Sequence, residues 1–213
     1  MINKRPWILD LVEKAGHKVF ENGDYDLNIV GIRKANGEPN KFDDLITCSY
    51  KVNGVWQFRS WRCTTDPGNH WMENPMRVEG TAILKAGQYR GVYMLSKHRG
   101  KYLALCQNGG PVTVWRDKDR DLEIDQEVEH TGMFGINIHR AHAKIEVDDV
   151  YKYSAGCQVL NKPGDLDELL WLCKRQIATH PTWPQKFSYT LLEESDFKTE
   201  TAPKKSKPKA KKK

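Results

Sequence analysis

The chain has 213 residues with 38% hydrophobic, 10% aromatic and 29% charged side chains, a balance that suits one globular domain and excludes both wholesale disorder and an apolar membrane span. Its formal charge of +6 and pI near 9.0 invite a nucleic-acid reading, but seven of the lysines lie in the last ten residues. Without them 27 basic side chains face 28 acidic ones, so the body of the protein is almost neutral. Residues 1–192 are expected to form one globular domain and residues 193–213 a disordered, lysine-rich tail, because APKKSKPKAKKK has nothing larger than Ala or Pro to bury against its ordering entropy. Such a tail offers a polyanion, nucleic acid or another anionic polymer, a place to bind.

In chain order, Pro6 ahead of Trp7, Ile8, Leu11 and Val12 predicts a short helix ended by Gly16. From about residue 24 come YDLNIVGIR, LITCSYKV, VWQFRSWRC and TAILKAGQYRGVYML, rich in β-branched and aromatic residues and broken by Asn36-Gly37, Asn53-Gly54 and Pro67-Gly68. Asn53-Gly54 is the strongest hairpin signal. KYLALCQ, PVTVWRD and GMFGINIHR follow as further strands, with the charged stretch 117–129 between the last two. Near the end, Asp165 and Glu168 read as a capping box ahead of Leu166, Leu169, Leu170, Cys173 and Ile177 at helical spacing, with Pro181 beyond the helix and FSYTLL as a last strand. The fold class is mainly β with flanking helices. The start, MINKRPWILDL, lacks the apolar core and cleavage site of a secretory signal, so synthesis in the cytoplasm is expected.

Five cysteines, at 48, 63, 106, 157 and 173, show no CxxC pair and are odd in number, so at least one thiol is unpaired within the chain. Asp117, Asp119 and Asp121 alternate as in an EF-hand loop, but Leu122 and Val128 stand where that motif needs Gly and Glu, and a solvated loop is the better reading. His139 and His142 with Cys157 offer zinc-type ligands, yet histidines three apart on a strand face opposite sides. No metal and no cofactor is expected.

The more specific pattern is His139, fourteen intervening residues, then Ser154-Ala155-Gly156-Cys157. A glycine before a cysteine allows a tight turn and lets backbone amides converge on a developing oxyanion, and a histidine supplies the base a thiol needs near neutral pH. Against this stands a bland alternative, a small buried cysteine and a satisfied core histidine. The pattern, with GINIHRA leading into the histidine, resembles the signature of the L,D-transpeptidase catalytic domain family (YkuD-type fold), and SAGCQV in this setting resembles a phage-associated branch of it. The resemblance covers about residues 133–160. It implies a β-sandwich-like core, Cys157 as nucleophile, His139 as base, the Arg140 carbonyl as its orienting group, and the amides of Gly156 and Cys157, in the turn begun by Ser154, as oxyanion hole.

Ala155 stands where the family has a second histidine, Gln158 where it has an apolar residue, and Val159 where it has Asn or Arg. Those departures leave Tyr153, Ala155 and Gln158 as the residues expected to meet the substrate, a peptidoglycan stem peptide. The implied reaction is acyl transfer with an amine or water as acceptor. With the resemblance, delivery in a virion or release to the cell wall becomes the expected route outward. The reading from a different class is a catalytically inactive structural or virion-associated protein whose lysine tail binds polyanions, nucleic acid or an anionic wall polymer.

Overall fold

The hydrophobic alternation of the early strands is explained by what covers each face. In the computed structural model, which describes residues 4–37 and 40–197, strand β1 (Asn28–Arg33) is buried at every position. Ile29 joins the main core, while Val30 and Ile32 face the opposite way and pack against Ile8, Leu9 and Val12 of helix α1 (Ile8–Lys14). Strands β2 (Asp44–Val52) and β3 (Val55–Thr64) form the hairpin that Asn53-Gly54 predicts. Both turn residues have positive φ, 50° and 75°, as a two-residue hairpin with a right-handed twist requires. Their amides donate to the two carboxylate oxygens of Asp24, at 2.5 and 2.9 Å.

A five-residue helix α2 (Asn69–Glu73) leads to β4 (Thr81–Leu84), β5 (Gly87–His98), β6 (Tyr102–Gln107), β7 (Val112–Asp117) and β8 (Glu129–Gly132). Then come the short strands β9 (Ile138–Arg140) and β10 (Gln158–Leu160), helix α3 (Pro163–Thr179) and β11 (Phe187–Glu193), with a last 3-10 turn at Glu194–Phe197. The strand order β1-β11-β5-β6-β9-β10-β3-β2 closes on itself as an eight-stranded mixed barrel, and β4-β7-β8 make a separate small sheet. This corrects the expected β-sandwich. Two sheets facing each other would leave edges, whereas β11 here lies parallel to β1 and antiparallel to β5, and β2 joins β1 to β3, so the hydrogen-bonded ring has no open edge.

The barrel interior holds Ile46, Cys48, Cys63, Tyr93, Leu105, Ile138, Leu160, Tyr189 and Leu191 in one cluster with Leu166, Leu169, Leu170, Leu172 and Cys173 of α3. Gly31 is required there: a Cβ at that position would fall 1.8 Å from the Tyr189 hydroxyl, which crosses the interior to donate to Gln158 Oε1 at 2.9 Å. Helix α3 begins two residues earlier than the predicted capping box, at Pro163, with Lys162 as its N-cap and no side-chain cap. Glu168 is engaged elsewhere, taking hydrogen bonds from Arg59 Nε at 2.8 Å and Trp61 Nε1 at 2.9 Å, which tie α3 to β3.

At the C-terminal end, order continues past residue 192, the expected domain boundary. Glu193 closes on buried Arg33 at 3.0 Å, and Phe197 meets Trp7 edge to face. Residues 198–213, with Lys198 and the seven lysines of 204–213, lie outside the described residues. Among the described residues no helix is long and apolar enough to cross a membrane.

Candidate active site

Parallel pairing of β9 with β10 sets the level of every residue in the His139–Cys157 pattern. Gln158 lies opposite Ile138 and Val159 opposite His139, which puts Cys157 level with Asn137. Ile138 and Gln158 point into the barrel, so the alternation of a strand directs Asn137, His139, Cys157 and Val159 to its outer surface. The neighbouring hairpin β5–β6 contributes His98 and Tyr102 to the same surface.

Here His139 is 5% exposed and held on three sides. Its Nδ1 lies 2.8 Å from the Arg140 carbonyl. A carbonyl only accepts, so Nδ1 carries the proton and Nε2 is left as the basic nitrogen. The Tyr102 hydroxyl, 3.2 Å from the same carbonyl and 3.3 Å from Nδ1, braces the pair, and the His98 ring stacks on His139 with centroids 4.1 Å apart. His98 is itself held by Asn137 Nδ2, 3.1 Å from its Nδ1. Burial first, then the second imidazole, push the His139 pKa down to about 3. The imidazole is neutral at physiological pH.

Cys157 is half-buried, the other four cysteines are buried, and all five are free thiols. Its Sγ lies 3.4 Å from the Gly135 carbonyl and accepts from the Asn137 amide at 3.5 Å. Burial pushes its pKa up to about 11, with the Asn137 N–H and the Arg99 charge opposing that shift. The thiol is therefore neutral as well, and in the described structure it makes no hydrogen bond to the His139 ring.

The turn before the cysteine is built by Ser154 and Gly156. Ser154 Oγ accepts from the Gly156 amide at 3.2 Å and donates to the Cys157 carbonyl at 2.8 Å, while Gly156 adopts φ +113°. Any Cβ on Gly156 would lie 2.0 Å from the Ala82 carbonyl. Ser154 thus shapes the turn through backbone groups, and the Gly156 amide, expected to face an oxyanion, is taken up by the Ser154 hydroxyl.

Among the residues expected to meet the substrate, Tyr153 alone lines the cleft beside His139. That cleft, about 150 Å³, is bordered by Arg99, Lys101, Arg140 and Lys152 and by no acidic side chain. Arg140 stacks over Tyr102 at 4.2 Å. Gln158 is fully buried, bonded to Tyr189 inside the barrel, and does not reach the cleft. Ala155 opens instead onto a separate pocket beneath β4 and β7. His142 is not near a metal set; its Nδ1 accepts from the amides of Lys144 and Ile145 at 3.2 Å each. Asp121 accepts from the Glu123 amide, while Asp117, Asp119 and Asp125 are the acidic groups that converge, their oxygens within 4.8 Å of one another.

The sequence reading missed His98, Tyr102 and Asn137. Asn137 sits inside the GINIHR run, but His98 and Tyr102 lie about forty residues away in the chain and come to His139 only through the pairing of β6 with β9. Comparison of the chain with protein-family models, with curated proteins and with solved structures finds no match.

Proposed function

We propose that this protein is a cysteine-dependent acyl transferase or hydrolase acting on peptidoglycan stem peptides, with Cys157 as nucleophile and His139 as base. The observation that carries the reading is the His139 arrangement: an imidazole fixed by a backbone carbonyl in the tautomer that frees Nε2, beside a cysteine raised on a glycine turn. Four basic side chains along the adjoining cleft suit a peptide rich in carboxylates.

Because both groups are neutral at rest, the chemistry is that of a general base rather than of a preformed thiolate–imidazolium pair. Reaction requires the Cys157 side chain to leave the Gly135 carbonyl and present Sγ to His139 Nε2. Nε2 takes the thiol proton as sulfur bonds to the scissile carbonyl carbon, and the carbonyl π pair moves to oxygen, facing the Cys157 amide. Collapse of that intermediate breaks the C–N bond. The imidazolium returns its proton to the departing amine, leaving a thioester. Water or a second amine then adds to the thioester, His139 again accepts a proton, and the thiol leaves with it.

Acid-quenched incubation with a stem tetrapeptide, followed by intact-protein mass spectrometry, tests this. An adduct on Cys157 equal to the peptide minus its terminal amino acid, absent in Cys157→Ala, is expected. No adduct together with no released amino acid contradicts the reading. That outcome favours the alternative, an inactive structural protein, which draws its support from the absence of a Cys157–His139 hydrogen bond and from the high thiol pKa.

A further inference from the structure

The pocket onto which Ala155 opens holds a buried guanidinium, that of Arg116, with no salt bridge among the described residues. It measures about 70 Å³ and is walled by Trp71, Met76, Arg77, Arg116, Phe134 and Ala155. Arg116 is only 7% exposed. Its Nη1 donates to the Gly80 carbonyl at 3.2 Å and its guanidinium stacks on Phe134 at 4.7 Å, but Nε is buried without a hydrogen-bond partner. Neither arginine of the pocket makes a salt bridge among the described residues; the one acidic group that acts on Arg116 is Glu79, which is exposed. An unpaired buried guanidinium is costly, and a bound anion would satisfy it.

The position is as informative as the charge. Arg116 lies opposite Ala82 in the β4–β7 register, and the Ala82 carbonyl is what Gly156 packs against. Two walls are chain neighbours of the thiol environment: Ala155 is two residues before Cys157, and Phe134 adjoins Gly135, whose carbonyl meets Sγ. The basic cleft lies toward the other end of β9, at Arg140 and Ala141. Cys157 is therefore between the two. Ala155 and Gly156 form the bend just before Cys157, so the pocket wall and the thiol are carried on one turn.

We infer that the Arg116 pocket is a carboxylate subsite, which takes the free C-terminal carboxylate of the residue that leaves when Cys157 is acylated. Carboxylate binding stands on the pocket itself; that the carboxylate belongs to a leaving D-amino acid rests on the acyl-transfer reading. The enzyme would then act at free peptide ends and pass over bonds inside a chain.

The test titrates the full-length protein with N-acetyl-D-alanine and, separately, with its C-terminal amide, following the Arg116 Nε–H resonance by heteronuclear NMR. The acid should give a saturable shift and bind at least tenfold more tightly than the amide, in Cys157→Ala as in wild type, and Arg116→Gln should erase the difference. Equal responses to acid and amide in wild type overturn the inference whether or not the variant folds. A preference for the acid in a protein that turns over no peptide leaves the subsite standing and removes the acyl-transfer reading.

Discussion

At the residue scale, the site depends on two neutral groups whose pKa values are pushed apart by burial. With His139 near 3 and Cys157 near 11, imidazole loses its basic nitrogen only in strong acid and the thiol ionises only in strong base. The pH profile of kcat/KM is therefore expected to be level between about pH 5 and 9, where free imidazole and free thiol, with pKa values near 6.5 and 8.5, would titrate. A bell with limbs inside that range would show an ion pair and contradict the general-base account. Gly156 is the residue whose role is purely steric. Gly156→Ala combines a left-handed backbone with a Cβ 2.0 Å from a main-chain carbonyl, and should cost about 2–4 kcal/mol of stability. Denaturant unfolding of that variant measures it; a loss under 1 kcal/mol would mean that the turn relaxes freely.

At the element scale, local signals identified strands better than they identified partners. Asn53-Gly54 and the alternating runs around it gave the β2–β3 hairpin because a two-residue turn is decided by its own φ values. TAILKAGQYRGVYML reads as one continuous stretch but is two strands in different sheets, divided at Lys85-Ala86, a split set by tertiary pairing. Strands β9 and β10 are three residues each, too short to show a period, although they carry His139 and position Cys157. The capping box at Asp165 and Glu168 misled because the same carboxylate serves a distant strand. Glu168→Ala removes the hydrogen bonds to Arg59 and Trp61, and is expected to lower stability by about 1–2 kcal/mol and Tm by roughly 3–6 °C. Calorimetry decides; an unchanged Tm would place the docking of α3 wholly in its leucines.

At the scale of the whole molecule, barrel closure was not legible, since it turns on β11 inserting between β1 and β5 more than 90 residues from either in the chain. No propensity encodes that pairing. The candidate site was legible in part: His139, Arg140, Ser154, Gly156 and Cys157 fall in one window, and Tyr153 reaches the cleft. Gln158 belongs to the interior because a strand alternates, and Ala155 faces the Arg116 pocket. Charge is distributed with the same economy. The excess of lysine lies in residues 204–213, while in the folded body four basic side chains border the cleft beside His139 and two line the pocket beside Ala155. Whether this barrel turns over peptide bonds through Cys157 is decided by mass spectrometry of muropeptides after incubation with purified peptidoglycan. Wild type should shorten or cross-link stem peptides while Cys157→Ala, still folded, leaves them unchanged; identical muropeptide profiles from the two proteins would contradict it.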